Sequence, residues 1–234
     1  MNNLVLYVTI NYPTRENFFE ILDVIEESNV GYVEIGIPVA NPYVDGGVVR
    51  KTQEQVYPTL TQQEIISVLE ETRRQYSFRV ILMTYHEGVE HFQLSQIART
   101  LYDAILCVDK CLDQKNYTGL VHTFTHKLDQ EILAEQLTSS SEFIYLVSGE
   151  GKTGEFTQLP NEYIPLLAYL KPKTKLPIFV GFGVKESEDI TSILNEGADG
   201  AIIGSEFIKR YDADGISGIK KYLQVLQGAF DRRN

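Results

Sequence analysis

The chain has 234 residues, 43% of them hydrophobic, and carries 21 Lys and Arg against 32 Asp and Glu, a net charge of −11. That field excludes nucleic acid and anionic membrane as natural partners. The length supplies ample apolar material for one domain spanning 1–234. No stretch approaches the ~20 apolar residues of a membrane span, and the polar start Met-Asn-Asn is no signal peptide. Two cysteines, Cys107 and Cys111, make no disulfide framework, so a cytoplasmic location is expected.

Strand-length apolar runs alternate with helical stretches from one end to the other. Residues 4–9 read as a strand, and 14–28 as a helix with Phe18, Ile21, Leu22 and Ile25 on one face. A second strand at 32–35 runs into a loop rich in Gly, Pro and Asn, and a helix over 61–76 opens with the capping-box pattern Thr-Gln-Gln-Glu. A strand at 79–83 precedes a helix over 89–102, and a strand at 104–108 precedes the short polar stretch 113–118. Strands at 120–124, 143–147, 178–181 and 200–203 alternate with helices at 128–139, 161–170, 187–196 and 216–229, with a short helical piece at 206–210 after the last strand. Eight strands, each followed by a helix or loop, point to a parallel sheet closed as a (β/α)8 TIM barrel, since ~250 residues is typical of that fold. The competing architecture is a doubly wound open sheet, because periodicity alone does not register closure.

The segment 31–47, GYVEIGIPVANPYVDGG, carries the strongest chemical signal. It places Glu34 inside an apolar strand pattern and Asp45 on the loop that follows. A carboxylate in a strand costs several kcal/mol of desolvation unless a partner or a function offsets it. Two acids in unlike surroundings divide labour: the desolvated Glu34 exchanges a proton while Asp45, on a polar loop, stays ionised. The bland alternative is a capped turn beside a satisfied core Glu.

Near the C-terminus, Gly181-Phe-Gly183 ends the seventh strand and Gly204-Ser205 ends the eighth. Barrels bind phosphate with these two loops and the N-terminus of a short extra helix, where glycines let backbone amides approach the oxygens. An acidic chain would in this way hold an anion without a lysine cluster. Gly149-Glu-Gly-Lys-Thr-Gly154 matches G-x-G-x-x-G, but Pro160 follows where a helix should begin, and Leu146 stands where a P-loop needs glycine. It reads instead as a loop closing over the site. His86 and His91 miss H-E-x-x-H spacing by one residue, and His122 and His126 bracket a strand, so no metal site is expected. Cys107 and Cys111 make neither a zinc nor a redox pair, and nothing around Lys110 signals a Schiff-base lysine. Tyr7 and Tyr145 lie on strands that point them toward the catalytic end.

The stretch EIGIPVANPYVDGG resembles the E-L-G-x-P-F-S-D-P-x-A-D-G segment of the tryptophan synthase alpha chain family. The likeness continues in order through FIYLVSGEGKTG, VGFGV and GADGAIIGS, and covers nearly the whole chain. It implies a (β/α)8 barrel that cleaves indole-3-glycerol phosphate to indole and glyceraldehyde 3-phosphate, without a cofactor. It implies that Glu34 and Asp45 are the catalytic acids, and that Tyr7, Tyr145 and Thr153 meet the substrate or close over it. By the same resemblance Gly154, Gly183, Gly204 and Ser205 bind phosphate, and Asp109 matches an aspartate after strand four. A beta chain is the implied partner, in an α2β2 assembly. The chain departs from the family pattern in four places. The initial helix that plugs the barrel is missing, Tyr12 replaces an aspartate, Asn41 replaces the second-loop aspartate, and HEGVEHF replaces an asparagine-rich stretch. The last two lie where the family meets its beta chain. They keep open two alternatives, a self-sufficient indole-releasing lyase and a non-catalytic binding or regulatory paralogue. Retention of both acids argues against the second alternative.

Overall fold

Val, Ile and Leu run almost unbroken through the strand segments and leave no polar face, as a parallel sheet covered on both sides requires. The computed structural model describes residues 1–149, 151, 156 and 158–231. Its strands are β1 (Leu4–Thr9), β2 (Tyr32–Gly36), β3 (Arg79–Thr84), β4 (Ala104–Cys107), β5 (Thr123–Phe124), β6 (Ile144–Val147), β7 (Ile178–Gly181) and β8 (Gly200–Ile203). They pair in parallel in the order β4-β3-β2-β1-β8-β7-β6-β5. The two ends meet through residues 119–121: the Ile105 N–H donates to the Gly119 carbonyl and the Val121 N–H to the Ile105 carbonyl, each at 3.0 Å. The sheet is therefore a nearly closed eight-stranded barrel, and the doubly wound alternative is excluded.

Helices lie between the strands: α1 (Arg15–Glu27), α2 (Gly47–Val56), α3 (Gln62–Gln75), α4 (His86–His91), α5 (Gln130–Ser139), α6 (Tyr163–Leu170), α7 (Ser187–Asn195) and α8 (Ser205–Asp231). Two apolar layers result from strand alternation. Leu4, Leu6 and Val8 of β1 face the helices, whereas Val5 joins Ile81, Leu106, Phe143, Phe179 and Ile202 inside the barrel. There Phe143 and Phe179 stack at 5.0 Å between centroids, and Tyr32 packs edge-on against both at 5.3 and 5.5 Å.

Three expectations change. The helix expected over 89–102 is the single short helix α4 followed by a 3-10 turn at Leu94–Gln96. Gln93 in the left-handed region (φ 48) stops it, and its apolar residues are buried without helical continuation. β5 shrinks to two residues because Leu120, expected within it, bridges Ile105 and Ser140 instead. The pieces expected at 206–210 and 216–229 are both present, as the two helical stretches of α8 that meet at a kink at Gly215 (φ 60, ψ −149). Helix α2 falls where only a loop was expected. Its buried residues Val49, Thr52, Gln53 and Val56 keep helical spacing, but two are polar, so no apolar stripe marks them. Caps agree better. Thr14 accepts from the Asn17 N–H and Thr61 from the Glu64 N–H, although Glu64 turns to Arg15 at 2.6 Å rather than completing a capping box.

Candidate active site

β2 delivers Glu34 into the barrel mouth between Tyr7 of β1 and Ile81 of β3, its register partners. The residue is 1% exposed, and its Oε1 has no hydrogen-bond partner. An unpartnered buried carboxylate oxygen is a costly arrangement. Burial, and then the charge of Asp45, push its carboxyl up to about 8. At neutral pH Glu34 is therefore mainly the neutral acid, a proton donor with an open acceptor atom.

Asp45 differs from the solvated loop carboxylate expected. It is 2% exposed, held just ahead of α2. Its Oδ2 accepts from the Tyr85 hydroxyl at 2.8 Å and from Gln53 Nε2 at 2.9 Å. Burial raises its pKa above the ordinary carboxylate value, and those two donors and the nearby Arg50 charge offset part of that rise. Its ionised form is thus supported by fixed protein donors instead of water. Both donors are aimed by second bonds. The Gln53 carbonyl oxygen accepts from the Val39 N–H at 3.2 Å, which leaves the amide nitrogen to donate, and the Tyr85 hydroxyl accepts from the Val44 N–H at 3.1 Å. Sequence reasoning missed both residues. Gln53 sits in the unforeseen helix α2, and Tyr85 directly follows β3 without a motif around it.

Tyr7 and Tyr145 complete the walls by the same device. Each ring leans over the glycine that ends the next strand: a Cβ at Gly36 would stand 2.1 Å from the Tyr7 hydroxyl oxygen, and one at Gly181 would stand 2.7 Å from the Tyr145 ring. The Tyr7 hydroxyl is fixed by a chain to Thr9 (3.1 Å), on to Thr52 (2.6 Å), whose hydroxyl donates to the Val49 carbonyl (2.7 Å). Since Thr52 donates to a carbonyl, it accepts from Thr9, which in turn accepts from Tyr7. Burial and the two acids raise both phenols, which stay neutral.

One cavity is lined by Tyr7, Glu34, Asp45 and Tyr145 together with Gly183, Gly204 and Ser205. Gly183 has φ 84, and buried Ser205 opens α8, so the turns after β7 and β8 face the acids across the mouth. An adjoining, more apolar cavity of about 980 Å³, counting open solvent, shares Asp45, Tyr145 and Phe182 and adds Leu106, Val108 and Val147. The mouth thus sets the turns after β7 and β8, two acids and an apolar slot in sequence. Thr153 and Gly154 lie outside the described residues. Gly149 and Gly151 line the second cavity, and among the described residues the next helix begins at Tyr163 rather than directly after the glycines, unlike a dinucleotide-binding turn.

Among the remaining candidates His126 lines the apolar cavity together with Asp45, and the others line neither cavity. Lys110 contacts His86 Nε2 at 2.9 Å and lines neither cavity. Burial pushes the Cys107 thiol up to about 12, which makes it a poor nucleophile. His122 contacts Ser139 at 2.9 Å, and His126 lies 3.7 Å from Glu162. Asp109 accepts from the His86 N–H at 2.7 Å and the Tyr43 hydroxyl at 3.2 Å, outside the cavity. Among the described residues no helix is long and apolar enough to cross a membrane.

Comparison with known proteins bears on this geometry. The family model for the tryptophan synthase alpha chain matches residues 1–231. The tryptophan synthase alpha chain of Trichormus variabilis is 30% identical, with 97% of this chain and 92% of that protein covered. That of Thermococcus kodakarensis is 32% identical, with 88% of each covered. Among solved structures, the tryptophan synthase complex of Pyrococcus furiosus superposes with a TM-score of 0.82 at 26% identity, covering 97% of this chain and 98% of that one.

Proposed function

The chain belongs to the tryptophan synthase alpha chain family, and from that premise we propose that it cleaves indole-3-glycerol phosphate to indole and glyceraldehyde 3-phosphate. The observation that carries the reading is the pairing of a neutral, unpartnered Glu34 with an Asp45 held by Tyr85 and Gln53 in one cavity. The phosphate lies against the turns at Gly183 and Gly204-Ser205, with Gly154 as a further contact, and the indole ring lies toward Leu106, Val108 and Val147.

The reaction is a retro-aldol cleavage. The Glu34 carboxyl gives its proton to indole C3, which leaves positive charge on the ring nitrogen. Asp45 accepts a hydrogen bond from that N–H, and the bond strengthens as the charge grows. The resulting Glu34 carboxylate then takes the proton of the glycerol hydroxyl next to the ring. The O–H electrons form the aldehyde carbonyl, the C–C bond breaks, and its electrons return to the ring, releasing indole with Glu34 again protonated. Tyr7 and Tyr145 wall the ring, and Thr153 closes over it. Proton transfer by one group in both directions needs a pKa near working pH, which burial of Glu34 supplies.

The partner is a beta chain that receives the indole, a reading supported by the likeness to the tryptophan synthase complex of Pyrococcus furiosus. Incubating the purified protein with indole-3-glycerol phosphate, alone and with a beta chain, and measuring both products tests the reading. Equimolar indole and glyceraldehyde 3-phosphate are expected. No product under either condition would overturn it.

A further inference from the structure

The cavity that holds two acids receives a dianionic phosphate, yet the cradle of Gly183, Gly204 and Ser205 offers only backbone dipoles and a hydroxyl. Among the described residues lining that cavity one is cationic, Lys185, two positions beyond Gly183. Among the described residues its ammonium meets no carboxylate, and its partner there is the main-chain carbonyl of Phe156, in the loop after β6. The other cations beside the cradle are engaged. Arg210 bonds Glu206 at 2.7 Å and Glu186 at 2.6 Å, and Lys209 lies 3.9 Å from Glu206.

The Lys185 main chain is pinned. Its N–H donates to Asp189 Oδ2 at 2.8 Å, its carbonyl accepts from the Tyr222 hydroxyl, and its neighbour Val184 is buried. The long side chain, which lines the cavity together with the cradle residues, is left to move. We propose that Lys185 is the counter-cation of the substrate phosphate, adding a full charge to the backbone cradle and exchanging the Phe156 carbonyl for a phosphate oxygen when substrate arrives. Rotation toward phosphate is favoured because an ionised acceptor makes the stronger bond. The same cation bonds the Phe156 carbonyl, so phosphate arrival and that contact share one side chain. This assignment rests on the phosphate placement given under Proposed function.

The test compares an uncleavable 3-indolylalkyl phosphate with the corresponding alcohol, binding each to the wild-type protein and to the K185Q and K185R variants by calorimetry. Wild type is expected to prefer the phosphate. K185Q is expected to lose roughly 10- to 100-fold of affinity for the phosphate, the span of one charge-assisted hydrogen bond, with affinity for the alcohol unchanged. K185R should retain most of the preference. In turnover, K185Q should raise KM for indole-3-glycerol phosphate with little change in kcat. If wild type prefers the phosphate and K185Q keeps that preference, Lys185 is not the counter-cation while the cradle stands. If wild type does not discriminate, the phosphate placement itself is wrong.

Discussion

At the residue scale, everything turns on how Glu34 is desolvated. No donor reaches its Oε1, and Asp45 shares its cavity, so the neutral form is favoured on two counts. Replacing Glu34 with Gln keeps shape and neutrality but removes the transferable proton. The expected result is near-normal binding of substrate with kcat lower by ~10²–10⁴-fold, the usual loss for an acid–base group. Near-full indole release by E34Q would end the proton-shuttle assignment. The pH dependence has a definite sign. With the folded pKa raised from 4.5 to about 8, the native state binds more protons than the unfolded chain between those values. Glu34 therefore costs nothing below the lower value and destabilises increasingly as pH rises toward 8, on the order of a few kcal/mol at the upper end. E34Q is expected to lack that slope, so chemical denaturation should find it more stable than wild type at pH 8 and nearly equal at pH 4.5. Equal stability at both values would mean that the carboxyl is not desolvated in solution. Glu34 was legible in the sequence because an acid inside an apolar strand breaks the pattern. The state of Asp45 was not, because its solvation depends on Gln53 and Tyr85, which reach it from 8 and 40 residues away.

At the scale of elements, the eight strands were legible because each is an apolar run bounded by turn residues, and the sheet order followed from their alternation with helices. What escaped was α2, whose inner face uses Thr52 and Gln53 to finish hydrogen-bond chains to Tyr7 and Asp45. A helix that serves the site with polar residues erases the periodicity that would reveal it. The helix over 89–102 failed for the opposite reason: its apolar residues are buried as expected, but a left-handed Gln93 folds them around a corner. Elements also divide stability from chemistry. Phe179 of β7 is fully buried between Phe143, Tyr32 and Gly200, where a Cβ would stand 2.8 Å from its ring, and it does not line the active-site cavity. Truncating it to Ala should cost about 3–5 kcal/mol, as for other buried phenylalanines. A denaturant titration is expected to show that loss, with KM near wild type wherever the variant remains folded. A loss below about 1 kcal/mol would mean that the barrel interior collapses onto the vacancy.

At the scale of the whole molecule, the loops after β2, β3 and β4 form one stitched face. The Ala40 N–H donates to Glu87 of α4 at 3.1 Å, the His86 N–H to Asp109 at 2.7 Å, and the Tyr43 hydroxyl to Asp109 at 3.2 Å. Exposed Asn41 and the HEGVEHF stretch both lie on it, and by the family resemblance this is the side that meets a beta chain. The face is joined to the chemistry, since the Val44 N–H bonds Tyr85, whose hydroxyl bonds Asp45. A partner that presses on residues 40–44 therefore bears on the acid that stabilises ring charge. The resemblance implies that the aspartate usual at the position of Asn41 offers a beta-chain lysine a negative charge that Asn41 lacks, and truncating one member of a desolvated interfacial pair costs ~2–5 kcal/mol. Weak or absent association with a standard beta chain is the expected outcome, read by sedimentation of the mixture, with little stimulation of indole release. N41D should recover association by roughly 10-fold or more, less at high salt if the pair sits at a wet rim. Tight binding and strong stimulation of the wild-type chain would instead make Asn41 and HEGVEHF neutral variation on an ordinary alpha-chain face.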